Sequence, residues 1–276
     1  MATGFKTAQP LEYYRKFLSE NIRPDGRDLL QFRNTVVNIG SIATAEGSCI
    51  VKLGNTTVVC GIKAELANPK SDYPKWGFIV PNIDLSALCS PRFRPGPPSE
   101  QAQVISQFIA DTISNSKMID LEALCIMEGQ LVWCLYVDLV CLNYDGNIVD
   151  ASIIAMLGAI YNTRLYEIFI DEEKNVPVPS DEKQRSLIVK EVPVASTFAV
   201  IDNSLAPILI ADPTDDEESL ASGVITIVAT TENKLCSLHK PGLFLRSFVQ
   251  KPGASISQVH SKRKSFYKSI YIQVCS

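Results

Sequence analysis

The sequence runs to 276 residues, 46% of them hydrophobic and 20% charged, with a formal net charge of −4 at pH 7. A chain of this length buries roughly three quarters of its unfolded surface, and the composition is that of an ordinary globular protein. It excludes a membrane-spanning helix, since no apolar run approaches about 18 residues, and it excludes a molecule whose overall field draws in nucleic acid.

The opening stretch MATGFKTAQPLEYYRK lacks an apolar core followed by a small-residue cleavage site, so no secretory signal is expected. LEYYRKFLSEN (Leu11–Asn21) places Leu11, Tyr14, Phe17 and Leu18 on one helical face. RPDGR (Arg23–Arg27) then stops the helix with proline and glycine. TVVNIGSI, GSCIVKLG and TTVVCGIKAEL read as an antiparallel meander, with Gly54-Asn55 as a tight turn and Lys63 as a salt-bridge partner on a strand face. FIVPNIDL (Phe78–Leu85) is a further strand, and Pro81 predicts that it lies at a sheet edge.

PRFRPGPPSEQ (Pro91–Gln101) is a proline-rich loop that ends in Ser99, the expected cap of a helix burying Ala102, Ile105, Phe108, Ile109, Thr112 and Ile113. LVWCLYVDLVCL (Leu131–Leu142) is nearly all apolar and predicts a central strand covered on both faces. It runs through YDGN into a helix that is apolar almost all round, with Ala151, Ala155 and Ala159 spaced for close approach to a sheet. Asp150 in its first turn is expected to cap the helix and to repel an incoming anion.

EEKNVPVPSDEKQR (Glu172–Arg185) reads as a polar linker, after which VPVASTFAVI, APILIADPT, VITIVAT and KLCSLHKPG repeat the strand-rich pattern. The expected architecture is α/β (α+β), with two related halves of mixed β-sheets and helices packed between them. The expected divisions are residues 1–30, a first half over 31–171, a linker over 172–186 and a second half over 187–276. Eight cysteines are present, and Cys49, Cys60, Cys134 and Cys141 fall inside apolar strand patterns, so reduced thiols acting as small hydrophobes are expected. With only His239 and His260 and no CxxC pair, no metal site is expected. No cofactor is expected either, because the sequence contains no GxGxxG loop and no P-loop.

The ordered set RPDGR, GSCIVKLGNTTVVCGIKAEL, RFRPGPPSE, LVWCLYVDLVCLNYDGN and LIADPTDDEE resembles the RNase PH family, over about Leu11 to Gly242. The resemblance implies a two-halved α/β fold, and dimers assembled into a six-membered ring around an RNA-sized pore. Active members of that family shorten RNA from the 3′ end by phosphorolysis. That chemistry needs a phosphate cradle at a helix N-terminus, arginine forks and carboxylates.

The resemblance also locates the positions to inspect. Where active members open the helix with Asp-Gly-Gly-Thr-Arg, this chain has Asp145, Gly146, Asn147, Ile148 and Val149, so the arginine position is occupied by a residue without a donor. A second phosphate arginine falls on Gln101. Of two carboxylates six residues apart, the first matches Asp216 and the second falls on Ser222, which cannot act as a general base. The rest of the run Asp215–Glu218 reads as a solvated acidic loop.

No catalytic residue is therefore expected, and the combination resembles the inactive ring subunits of the exosome. Such a subunit is implied to work as a scaffold in a hetero-oligomer with other RNase PH-like ring subunits and RNA-binding cap subunits. RNA would pass through the pore, no membrane would be involved, and the complex would occupy nucleus, nucleolus and cytoplasm. Arg92 and Arg94, flanking Phe93, are candidate RNA contacts or else members of a solvated loop. The alternatives are an active phosphate-dependent 3′-to-5′ exoribonuclease and a small-molecule α/β enzyme.

Beyond Gly242 the chain departs from the family, with no acidic residue between Leu243 and Ser276. Ile256, Val259, Phe266, Ile270 and Val274 can share a helical face, and SKRKSFYK sets basic residues beside aromatics. That stretch suits RNA or an acidic partner, or forms a solvated basic face. LFLRSFV is apolar and is expected to be an aggregation liability if exposed at an edge.

Overall fold

The structure is a computed structural model. It describes residues 6–171, 176–202, 207–232, 234–241, 263 and 267, with 169–171 and 176–184 described by their backbone.

The first half begins with helix α1 (Pro10–Ser19), which buries Tyr14 and Leu18, while Phe17 stays partly exposed against Tyr13. Strands β1 (Thr35–Ile39), β2 (Gly47–Leu53) and β3 (Thr56–Ala67) form the expected meander. Leu53 pairs with Thr56 across the two-residue turn Gly54-Asn55. Gly54 has φ +59°, at the position where this turn needs glycine. A Cβ there would also come within 2.4 Å of Arg33 Cδ, so the glycine gives the Arg33 side chain its path.

Strand β4 (Phe78–Asp84), α2 (Glu100–Ser116), β5 (Cys125–Met127) and β6 (Leu131–Asn143) complete a six-stranded sheet of order β1-β2-β3-β6-β4, with β5 also on β6. Pro81 sits in β4 at the sheet edge, where its missing N–H costs no ladder bond. Ser99 caps α2 by accepting from the Ala102 amide at 3.2 Å, and all six residues expected on its inner face are buried.

β6 departs from expectation. It is central, yet only one face is covered: Val137, Leu139 and Cys141 are buried, whereas Tyr136, Asp138, Val140 and Leu142 face outward. Continuous apolarity in a strand signals two covered faces, but helices cover only one side of this sheet among the described residues.

After α3 (Ile148–Asn162) come β7 (Arg164–Asp171) and β8 (Val176–Ser186), an antiparallel pair. The stretch expected to be a linker is therefore largely the second arm of a hairpin. Its prolines and charges hid a ladder that has no sheet on either side to demand apolar alternation.

The second half is a four-stranded antiparallel sheet of order β10-β9-β11-β12, built from β9 (Pro193–Ile201), β10 (Ile208–Ala211), β11 (Gly223–Thr230) and β12 (Leu235–His239), with the short helix α4 (Asp215–Leu220) after β10. β9 is buried along its whole length. α3 packs on β2 and β3 from one side and on β9 from the other, and α2 bridges β4 to β12. The helices thus form the layer between two sheets. The N-terminal segment packs on both faces of the second sheet: Leu18 and Leu29 join Ala199 and Ile210 on one face, and Leu30 and Phe32 join Phe198 on the other.

Free thiols are found at all seven described cysteines. Burial pushes the Cys49 thiol up to about 12, so it behaves as a hydrophobe. Lys63 Nζ lies 3.7 Å from Glu46 on the strand surface. The C-terminal positions Ile256, Val259, Phe266, Ile270 and Val274, and the stretch 243–249, lie outside the described residues. Arg263 and Tyr267 are described; both are helical and buried.

Candidate functional site

β6 delivers the chain through Tyr144-Asp145-Gly146-Asn147 to the head of α3. Gly146 has φ +72°, and a Cβ on it would come within 2.6 Å of the Thr214 carbonyl carbon, so this loop presses directly on the segment preceding α4. Asn147 has φ +52°, a left-handed conformation that asparagine tolerates. Its backbone N–H is turned to the second half of the chain. The amide donates to Glu218 Oε1 at 2.7 Å, and the Tyr144 hydroxyl donates to Glu218 Oε2 at 2.9 Å. A carboxylate of the protein itself therefore lies at the helix head. Burial raises the pKa of Glu218; the Asn147 and Tyr144 hydrogen bonds oppose the rise.

Asp150 does not play the part expected of it. It is fully buried and accepts from the Thr197 amide at 3.2 Å and the Thr197 hydroxyl at 2.7 Å, both on β9. It also takes the Asn147 side-chain amide and pairs with Arg263. Its side chain points across the layer between the sheets and does not face an anion arriving at the helix head. Arg263, expected on a solvated or RNA-facing basic stretch, is 5% exposed, donates to the Ala195 carbonyl at 2.8 Å and lies 4.2 Å from the centre of the Phe32 ring. A buried carboxylate requires such a partner.

The acidic run Asp215–Glu218 is likewise no solvated loop. Its four carboxylates point four ways: Asp215 to Arg92 at 2.7 Å, Asp216 to Lys6 at 2.6 Å and to the Tyr14 hydroxyl at 3.3 Å, Glu217 to the buried Arg23, and Glu218 to the head of α3. Glu217 also closes a capping box with Thr214. A helix spreads consecutive side chains around its circumference, and each one here meets a different neighbour.

Sequence reasoning missed the arginines that organise this region. Arg33 donates to Asp212 through Nη2 at 2.9 Å and Nε at 3.0 Å, and to the Asp145 carbonyl at 2.7 Å. Arg23 and Arg27, read as part of a helix stop and of a family motif, clamp the segment ahead of α4. Arg23 donates to the Ala211 carbonyl at 2.7 Å, and Arg27 lies 3.3 Å from Asp212. Burial alone would raise the pKa of Asp212, but the hydrogen bond and charge of Arg33 prevail and hold it down at about 2. The usable signal was charge balance: the buried carboxylates of Asp212 and Glu217 need cationic partners, and RPDGR with Arg33 supplies them.

A cavity of about 420 Å³ opens beside the helix head, lined by Gln101, Val104, Ile105, Ile148, Val149 and Val224, with Arg92, Tyr144, Glu218 and His239 also on its wall. Val149 and Gln101 thus both line this cavity. Asp216 and Ser222 do not line it: Asp216 faces α1, and the Ser222 hydroxyl donates to the Val200 carbonyl at 3.0 Å. Gln101 reaches only the Tyr144 hydroxyl, at 3.5 Å. Arg92 is half-exposed and lies 5.9 Å from the Tyr144 ring centre. Phe93 is buried edge-on to Tyr144 and anchors the loop, and Arg94 is exposed. Among the described residues no group of three or more His, Cys, Asp or Glu side chains converges on a metal position.

Two sheets with helices between them, and a polar seam at the head of the inner helix where the halves meet, define a protein of two related α/β halves. Residues 31–166 match the family model described as 3′ exoribonuclease family, domain 1, and residues 191–243 match domain 2 of the same family. The chain belongs to this family, that of RNase PH. It is 38% identical to exosome complex component rrp43 of Schizosaccharomyces pombe over 238 residues, covering 86% of this chain and 87% of the relative. It is 38% identical to exosome complex component Rrp42 of Methanothermobacter thermautotrophicus over 242 residues, covering 84% of each. A solved structure, the Archaeoglobus fulgidus exosome with RNA bound to the active site, aligns with TM-score 0.81 at 31% identity over 94% of this chain and 96% of that one.

Proposed function

We propose that this chain is a non-catalytic ring subunit of an RNA exosome, a scaffold for the barrel that threads RNA to be processed or degraded from its 3′ end. The relatives named as exosome components support the ring assignment. One observation carries the non-catalytic part. The helix-head amide already holds a carboxylate, and the cations around it already hold carboxylates too: Arg33 with Asp212, Arg92 with Asp215, Arg23 with Glu217, Arg263 with Asp150. A phosphate with about two negative charges finds no unpaired positive charge among the described residues at the site. The cavity beside it carries Val149 and Gln101, neither of which brings a charge.

Partners in this reading are other RNase PH-like ring subunits and RNA-binding cap subunits. The exposed apolar face formed by Val80 on β4 and by Tyr136, Val140 and Leu142 on β6 has the character of a surface that a neighbouring subunit covers. Arg94 and Arg92 are the proposed RNA contacts, meeting phosphates without reading sequence. Activity in ribosomal RNA maturation and messenger RNA turnover, in nucleus, nucleolus and cytoplasm, follows from the same reading.

The test is a ring reconstituted with its partner subunits, given phosphate and a single-stranded RNA 3′ end, with nucleoside diphosphate release measured. Release should be indifferent to Asp216→Ala and Glu218→Gln in this chain. Release that these changes abolish would establish the alternative, an active phosphorolytic exoribonuclease.

A further inference from the structure

The head of α3 is a two-donor cradle. The Asn147 amide and the Tyr144 hydroxyl each give one hydrogen bond to a different oxygen of the same carboxylate, at 2.7 and 2.9 Å. The helix behind it is 15 residues long and presents the positive end of its dipole there. The occupant comes from the other half of the chain, 71 residues on from Asn147. Two features hold it in place: the close packing of Gly146 against the backbone of Pro213–Asp215, and the capping box that starts α4. Glu218 also lines the cavity, so its carboxylate stands between the cradle and open space.

We infer that Glu218 is a tethered internal anion that occupies the oxyanion position at the helix head, excluding inorganic phosphate and fastening the two halves of the chain to one another. This rests on the non-catalytic reading and adds the group responsible for it. The physical argument is that a helix N-terminus buried without an anion or cap leaves its amides unsatisfied. Two carboxylate oxygens satisfy the same donors as two oxygens of a phosphate. A tethered anion needs no free ligand, because its effective concentration at the cradle is set by the chain. Other charged and titratable groups near the carboxylate are Arg92 from the loop before α2, Asp215 on its own helix and Tyr144 from the β6–α3 loop.

Removing the carboxylate should leave a vacancy that a free anion can refill. In the full-length chain co-purified with its ring partner, Glu218→Ala should lower Tm relative to wild type when measured in chloride. Phosphate or acetate at matched ionic strength should restore about 2–4 °C of it. The wild type should show no difference among the three salts. Glu218→Gln, whose amide oxygen still fills the cradle, should fold and ignore both anions. Absence of rescue in Glu218→Ala, or an equal rescue in Glu218→Gln, would overturn the inference while leaving the non-catalytic reading in place. A phosphate-specific rise in wild-type Tm would sink both.

Discussion

The head and the shaft of α3 lie one turn apart and are held by different physics. Along the shaft, Ala151, Ile153, Ile154, Ala155, Met156, Leu157, Ala159 and Ile160 are at most 1% exposed, and nothing but packing fixes them. At the head, Asn147 and Asp150 are just as buried, but each is fixed by named partners from β9, from the turn after β10 and from Arg263. A packed apolar surface tolerates a neighbour of similar volume, whereas a buried charge tolerates no loss of its partner. The shaft therefore constrains the sum of the side-chain volumes, and the head constrains each side chain separately.

Breaking the head should cost most. Arg263→Ala leaves Asp150 buried without a counter-charge and should destabilise by about 3–5 kcal/mol. Truncation just before Arg263 should do at least as much, and urea unfolding of both variants measures it. In the shaft, Ile153→Ala should cost about 2–5 kcal/mol, whereas Ile154→Val should cost only about 0.5–1.5 kcal/mol. If Ile154→Val cost as much as Arg263→Ala, the contrast between the two regions would fail.

The pH dependence sharpens the comparison, because only the head titrates. Asp212 has its folded pKa held down at about 2, against an ordinary value of 3.8. Its contribution, about 2 kcal/mol, is fully present above the ordinary value and is lost as pH falls through the folded one. Glu218 has its pKa raised, so its contribution runs the other way: it favours folding below the ordinary glutamate range and loses that advantage as pH rises through the shifted value. Unfolding midpoints between pH 5 and pH 2 should fall steeply in the wild type, and Asp212→Asn should flatten the slope. The smallest effect belongs to a purely local device: Ser99→Ala should cost about 1 kcal/mol through loss of the α2 cap.

Features set by neighbours in the chain were legible before any tertiary information. The Ser99 cap, the glycine turn at Gly54, the edge position marked by Pro81 and the inner face of α2 each depend on a handful of adjacent residues. The candidate site was half legible. Val149 and Gln101 do border the cavity at the head of α3, because their place follows from the strand and helix that carry them. Asp216 and Ser222 were singled out by the resemblance and Asp150 by its place in the first turn, and their side chains take partners on α1 and β9 that the sequence does not name.

The sequence by itself determined the order of the main strands and helices other than β8 and α4, the two halves and the absence of an arginine at position 149. Tertiary structure decided what each charge does. Arg23 meets Glu217 across 194 residues, Arg33 meets Asp212 across 179 and Arg263 meets Asp150 across 113. Periodicity is a property of short stretches, but a buried charge is settled by whichever opposite charge the fold brings to it from afar. The same limit applies to the outer face of β6 and to the hairpin at β8. Whether an apolar strand is covered, or a polar one paired, depends on layers assembled from distant parts of the chain.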